Sequence, residues 1–213
     1  LEKKAVFRSA HIALVSKIAG RMFLERMGAS HRRHAIIPNP VDTQTFNIFE
    51  FPQRNNPMLL CIGRLDQLKG ALHLAMALPR VFNRLSDIRV CFAGAEGSDF
   101  EEKRTGSEGI LARVGEQWRT HISFLGRLSH EGLAKEINRA DVCILPSLYE
   151  NFPCAVIEAM ACGKPVIASS RAHGEEVLVH NHSGMLVDPL NTEEMAEAII
   201  ELMNDPEKRD RLG

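Results

Sequence analysis

Residues 58–93 carry the clearest structural signal in the chain, MLLCIGRLDQLKGALHLAMALPRVFNRLSDIRVCFA. The apolar runs at 58–62 and 89–93 do not alternate with polar residues, which is typical of strands buried on both faces. Between them, residues 71–85 carry apolar side chains at helical spacing. A strand, a helix and a second strand in this order predict two parallel strands joined by a helical crossover.

The same alternation of short apolar runs and amphipathic stretches extends over the rest of the chain. Strands are predicted at 11–15, 35–37, 58–62, 89–93, 122–125, 142–145, 166–168 and 185–187, and helices at 17–27, 71–85, 101–119, 130–139, 153–161 and 192–203. The predicted fold class is α/β, with a parallel sheet and helices on both of its faces. The loops that follow the strands of such a sheet meet at one edge, where ligands bind.

Composition and a Pro/Asn-rich stretch limit the possible compartment and domain organisation of the protein. The formal net charge of −1 gives no bulk attraction to nucleic acid. Five cysteines without a C-x-x-C pair, and the absence of an apolar run near the ~18 residues of a membrane span, favour a cytoplasmic protein, with peripheral contact at the inner face of a membrane left open. A Pro/Asn-rich stretch at 43–57 resembles a linker, so we predict a main domain at 47–213 and the end of a preceding domain at 1–46. The chain is therefore expected to be a fragment.

The loop after the predicted strand 58–62 offers cationic side chains for an anion. Gly63 lets the backbone approach a ligand closely, Arg64 presents a planar fork of donors, and Lys69 adds a mobile charge. Together with the helix start at Gly70 they predict a diphosphate site. Alternatively, Arg64 and Lys69 are solvated surface charges. The segment matches neither of two known phosphate-binding motifs, the Walker motif and G-x-G-x-x-G.

Two further loops contribute candidate residues. Gly126-Arg127-Leu128 follows a strand and offers backbone groups to a flat base, or forms an ordinary strand end. Residues 146–165, PSLYENFPCAVIEAMACGKP, join a strand to a helix and carry Glu150 before it and Glu158 inside it. Either carboxylate could accept hydrogen bonds from sugar hydroxyls. Alternatively, Glu158 faces solvent and Glu150 is an acidic residue at the helix entry that the helix dipole favours. His180 and His182 lie in a polar turn and predict surface histidines rather than a metal site.

Five ordered motifs together resemble the group 1 (family 4) retaining glycosyltransferases. Glu150 and Glu158 match that family's E-x7-E signature, and Gly63 to Gly70 resembles its phosphate loop. The other motifs are residues 124–126 (FLG), 37–42 (IPNPVD) and 184–189 (GMLVDP). The resemblance covers nearly the whole chain.

The resemblance implies the C-terminal, Rossmann-like donor domain of a GT-B enzyme that binds a nucleoside-diphosphate sugar. It implies transfer of a hexose-type sugar, with retention, to a saccharide or lipid-linked alcohol, and neither a cofactor nor a metal. Arg64 and Lys69 would neutralise the diphosphate, Glu158 would hold the ribose, and Glu150 would orient the sugar. Backbone of Gly126, Arg127 and Leu128 would line the base pocket, and that of Asn151, Phe152, Pro153 and Cys154 the sugar pocket.

The sequence departs from the family pattern at the sugar pocket, which could alter the choice of donor sugar. Asn151 and Pro153 stand where the family often has glycines, and Pro153 removes one backbone donor from the sugar pocket. The acceptor contacts and a catalytic histidine of many relatives belong to the N-terminal domain, so this fragment is not expected to run the reaction alone. A sugar-nucleotide epimerase or hydrolase, and a non-catalytic nucleotide-binding module, remain alternative functions of the same fold.

Overall fold

A computed structural model of the chain describes residues 2–8, 10–52 and 56–213. The strands are β1 Ile12–Leu14, β2 His34–Ile36, β3 Met58–Ile62, β4 Arg89–Ala93, β5 Ser98–Asp99, β6 Arg104–Thr105, β7 Ile122–Gly126, β8 Val142–Leu145, β9 Val166–Ser169 and β10 Met185–Val187. The α-helices are α1 Glu2–Arg8, α2 Lys17–Met27, α3 Ala71–Arg84, α4 Gly106–Val114, α5 His130–Arg139, α6 Cys154–Ala161, α7 Thr192–Asn204 and α8 Pro206–Leu212. Short 3-10 helices span Glu116–His121 and Gly174–Glu176.

The centre of the molecule is a six-stranded parallel sheet in the order β10-β9-β8-β3-β4-β7. Each of these strands lies where an apolar run predicted one. The two remaining predicted strands form the separate parallel pair β1-β2, while β5 and β6 form a short antiparallel pair that was not predicted. The predicted parallel α/β fold is thus confirmed.

Helices cover both faces of the central sheet, because every second side chain of a strand points to the same face. On β3, Leu59 and Cys61 join the core cluster that contains residues of α3, α4 and α7. Leu60 and Ile62 join a second cluster that contains residues of α5 and α6. Two separate apolar layers therefore hold the sheet, and the single tryptophan, Trp118, packs against Phe82 beside the first layer.

The single helix predicted for 101–119 is wrong. Residues 98–105 form the β5-β6 pair, and α4 starts only at Gly106 because Thr105 caps it in a capping box with Glu108. Gly115, at φ 94°, ends α4 before the following 3-10 helix. Local capping chemistry therefore divides a segment whose apolar spacing alone suggested one continuous helix.

The segment before β3 is tied to α5. Asn138 donates from Nδ2 to the carbonyl oxygen of Asn47 at 2.9 Å and accepts from the backbone N–H of Phe49 at 2.8 Å. Phe46 is buried in the second core cluster. Part of the predicted linker, residues 53–55, lies outside the described residues, and the division of the chain at 46/47 stays a prediction.

Candidate functional site

The loops that follow β3 and β8 touch each other, because these two strands are neighbours in the sheet. The backbone N–H of Leu148 donates to the carbonyl oxygen of Leu68 at 2.8 Å. A Cβ atom on Gly70 would lie 1.8 Å from the carbonyl oxygen of Pro146, so no other residue fits there without movement. The parallel topology and the absence of a side chain at Gly70 thus bring the loops after β3 and β8 together.

Asp66 organises the loop that was predicted to bind a diphosphate. Its buried carboxylate accepts from Nε of Arg64 at 2.8 Å and from the backbone N–H of Lys69 at 2.7 Å. The Arg64 side chain is 54% exposed and lies along the loop rather than over the cavity. The sequence analysis did not identify Asp66, although an Asp three residues before a backbone donor is a common turn-forming arrangement.

Lys69, predicted for the diphosphate, and Glu150, predicted for the sugar, contact each other. Nζ of Lys69 lies 2.6 Å from Oε1 of Glu150, and the hydroxyl of Ser147 donates to the same oxygen at 2.9 Å. Their side chains are 26% and 22% exposed, so the pair is reachable but largely enclosed. A cation from the β3 loop and a carboxylate from the β8 loop therefore share one site.

The pair lines a cavity of about 310 Å³ at the carboxyl ends of β3, β8 and β9. Six of the predicted site residues line it, namely Gly63, Lys69, Glu150, Phe152, Pro153 and Cys154. Ser147 lines the cavity beside Glu150, and Ser169, Ala172 and Gly174 form the side next to β9. Arg64, Asn151, Glu158 and residues 126–128 are not among the lining residues.

Three glycines lie at or just after the ends of β3, β4 and β7 along the edge of the sheet, from Gly63 at the cavity to Gly94 and Gly126 further away. The N–H of Gly63 donates to Ala93, and the N–H of Gly94 donates to Gly126. A Cβ atom on Gly94 would lie 1.8 Å from the carbonyl oxygen of Gly63. Gly126 and Arg127 are exposed, while Leu128 packs against the second core cluster. The predicted base site therefore lies further along the same edge.

Glu158 occupies the α6 surface towards the start of α5. Burial raises the pKa of its carboxyl group, and the nearby charge of His130 opposes that shift. His130 begins α5 directly after the loop that contains residues 126–128. Glu158 therefore lies on the side of the predicted base site rather than in the Lys69–Glu150 cavity. Within the described part of the chain, no three His, Cys, Asp or Glu side chains cluster as metal ligands do.

The six-stranded parallel sheet with helices on both faces matches GT-B glycosyltransferases of solved structure. The chain belongs to the group 1 glycosyl transferases, because the model of that family matches residues 43–213. The resemblance drawn from the five motifs is thereby confirmed at the level of the family.

Individual relatives are similar over nearly the whole chain. The phosphatidyl-myo-inositol mannosyltransferase of Mycobacterium tuberculosis is 31% identical over 207 residues, 92% of this chain and 51% of that enzyme. Sucrose-phosphate synthase from Thermosynechococcus elongatus superposes with a TM-score of 0.83 at 27% identity, over 99% of this chain and 53% of that one. HepE from Anabaena, solved with UDP and glucose, superposes with a TM-score of 0.81 at 19% identity, over 100% and 60%.

The first curated relatives are all longer than this chain, which spans from 37% to 58% of their length. None of the helices in the described residues is both long and apolar enough to cross a membrane.

Proposed function

We propose that this chain binds the donor in a retaining glycosyltransferase that moves a hexose-type sugar from a nucleoside diphosphate to an alcohol. The observation that carries the proposal is the contact of Lys69 with Glu150 in a cavity at the carboxyl edge of a parallel sheet. The names of two relatives, a mannosyltransferase and a protein solved with UDP and glucose, support a hexose donor.

The order of the strands gives the donor a direction. From β7 through β4 and β3 to β8, the edge presents residues 126–128, then Gly63 to Lys69, then Glu150 to Cys154. A nucleotide sugar laid along this edge has its base at β7, its diphosphate at β3 and its sugar at β8. In this arrangement we assign Glu158 to the ribose hydroxyls, because His130 at the start of α5 is near enough to influence its charge.

Lys69 stabilises the leaving group. During transfer the bond between the anomeric carbon and the diphosphate oxygen breaks, a bond to the acceptor oxygen forms, and the acceptor proton leaves with the diphosphate. Negative charge develops on the diphosphate, where a fixed cation is most effective. Arg64 adds a second cation after its guanidinium turns from Asp66 towards the phosphates. In this proposal the two side chains supply the positive charge, and neither a cofactor nor a metal takes part.

Glu150 orients the transferred sugar. Its carboxylate accepts hydrogen bonds only, so it selects hydroxyl groups as partners once Lys69 turns to the diphosphate. Pro153 leaves the mouth of α6 without one backbone donor, and Asn39 of the N-terminal segment donates to Sγ of Cys154 at 3.3 Å beside it. In this proposal an N-terminal domain of the whole protein binds the saccharide or lipid-linked acceptor on the open side of this pocket.

Calorimetric titration tests the proposal. The chain is titrated with UDP, GDP and ADP, and then with the glucose and mannose forms of the diphosphate that binds. We expect one nucleotide to bind, and its sugar form to bind with additional affinity. No binding of UDP, GDP or ADP, or no binding of either sugar form of the diphosphate that binds, would refute the proposal. Formation of an isomerised sugar nucleotide in the absence of an acceptor would favour an epimerase. Retention is tested separately, by NMR of the anomeric proton of the product that the full-length enzyme forms.

A further inference from the structure

A second carboxylate links the far wall of the cavity to the N-terminal segment. Glu176, at the end of the 3-10 helix Gly174–Glu176, accepts from the hydroxyl of Ser16 at 2.6 Å. It also accepts from the backbone N–H groups of Lys17 and Ile18, each at 2.7 Å. A side chain about 160 positions away in the sequence therefore binds the first turn of α2.

The start of α2 suits a carboxylate. The first N–H groups of a helix have no partner within the helix, and they carry a partial positive charge. Ser16 caps the N–H of Ala19, and the first turn of α2 contains no acidic residue of its own. Burial raises the pKa of Glu176, but the hydrogen bonds from Ser16, Ile18 and Lys17 outweigh it and lower the pKa overall. The contact is thus made by a charged group.

The loop that ends in Glu176 is also the wall of the donor cavity. Ser169, Ala172 and Gly174 line the cavity on the side of β9. The turn between them is tight, because a Cβ atom on Gly174 would lie 2.6 Å from the carbonyl oxygen of Ser169 and because His173 has a positive φ of 59°. The N–H of Glu176 donates back to the carbonyl oxygen of His173 at 3.0 Å. Glu176 and the cavity wall therefore belong to one short, tightly folded segment.

We infer that Glu176 is a positioning residue that fixes the β9 wall of the donor cavity by anchoring it to the first turn of α2. This inference rests on the proposed function. β9 is next to β8 and separated from β3, so its loop faces the sugar end of the donor rather than the diphosphate end. Loss of the anchor should therefore affect the sugar of the donor and leave the nucleoside diphosphate unaffected.

The test compares Glu176→Gln with Glu175→Gln in the full chain. Glu175 is the adjacent exposed glutamate, so its variant matches the change in charge at nearly the same place. Each variant is titrated with the diphosphate that the wild type binds, out of UDP, GDP and ADP, and with its glucose and mannose forms. Glu176→Asp serves as a second variant, because it keeps the charge and shortens the reach. Thermal unfolding of each variant is measured alongside.

We expect Glu176→Gln to weaken binding of the sugar nucleotide by about tenfold, a smaller effect than the roughly 10²-fold that a misplacement of about 1 Å can have on catalysis. The free diphosphate should bind as in the wild type, Glu175→Gln should change neither ligand, and Glu176→Asp should be intermediate. Equal affinities in all variants would overturn the inference, and so would an equal loss of both ligands in Glu176→Gln or Glu176→Asp. A wild-type chain that binds no nucleotide would instead refute the proposed function on which the inference rests.

Discussion

Nζ of Lys69 lies 2.6 Å from Oε1 of Glu150, so the cation expected for the diphosphate and the carboxylate expected for the sugar bind each other. Each side chain is therefore the salt-bridge partner of the other until a donor binds. Partly enclosed charges need a partner, and this pair provides one inside the cavity. Binding of the donor is then an exchange in which Lys69 turns to a phosphate while Glu150 turns to sugar hydroxyls.

Lys69→Ala should weaken nucleoside diphosphates. A hydrogen bond to a charged partner contributes about 1.5–3 kcal/mol, and the same loss should appear in the free energy of binding. Lys135→Ala on the exposed surface of α5 is the matched control, because it removes the same charge away from the cavity. Calorimetric titration of both variants measures the effect. Equal affinity in Lys69→Ala and the wild type would remove Lys69 from the site.

Glu150→Gln should have opposite effects on two ligands. Removing the carboxylate frees Lys69, so the free nucleoside diphosphate should bind as tightly as before or up to about 1 kcal/mol more tightly. The sugar nucleotide should lose about 1–3 kcal/mol, because an amide replaces the acceptor for its hydroxyls. Parallel titrations with the two ligands give the comparison. A loss of equal size for both would show that Glu150 stabilises the loop and does not contact the sugar.

The sequence predicts the sheet well because its strands are buried on both faces. The unalternated run at β3 is typical of a strand in the interior of a parallel sheet, and the structure places it there. Convergence of Lys69 and Glu150 follows from the same topology, since adjacent strands place their loops side by side. Those features depend on local patterns and on general rules of connection.

Contacts made by polar side chains were not predictable in the same way. Asp66 orders its loop through two donors, and Glu176 reaches a helix about 160 residues earlier in the chain. Such residues cannot be recognised from periodicity, because each makes a single contact that depends on the folded positions of distant segments. Glu158 is a similar case. The sequence placed it on α6 but did not determine whether it faces the Lys69–Glu150 cavity or the predicted base site. The single helix expected for 101–119 failed because capping at Thr105 and Gly115 outweighs apolar spacing.

Glu158→Gln should stabilise the chain at neutral pH. Burial raises the pKa of Glu158 in the folded state above its unfolded value, so the folded state favours the protonated form. The resulting penalty is present above the folded-state pKa and disappears as the pH falls below the ordinary carboxyl value of about 4.3. The variant should therefore have a higher melting temperature than the wild type near pH 7 and no advantage near pH 3.5, as thermal unfolding at the two pH values measures.

Glu131→Gln provides a control of opposite sign. Its own backbone N–H and the hydroxyl of Ser129 lower the pKa of Glu131, so this carboxylate stabilises the fold when ionised. Its replacement should lower the melting temperature near pH 7, and the difference should vanish as the pH falls through the lowered pKa. A Glu158→Gln variant that behaves like Glu131→Gln would contradict the assigned burial.

Gly70→Ala should separate the two loops of the site, and Gly28→Ala shows what backbone strain alone does. Both glycines have left-handed backbones, with φ of 73° and 68°. A Cβ atom on Gly28 has nothing within 4 Å, whereas one on Gly70 meets the carbonyl oxygen of Pro146 at 1.8 Å. Gly28→Ala should therefore lower the free energy of unfolding by about 1 kcal/mol, and Gly70→Ala by about 2–4 kcal/mol.

The binding data then show whether the contact between the loops matters for the donor. Gly70 follows Lys69 directly, and Pro146 begins the loop that carries Glu150. Pushing the two apart lengthens the Lys69–Glu150 contact, so Gly70→Ala should weaken the sugar nucleotide by more than about tenfold, while Gly28→Ala leaves it unchanged. Urea unfolding and calorimetric titration of the two variants measure both effects. If Gly70→Ala loses stability but binds the donor as the wild type does, the close approach at Gly70 serves the fold alone.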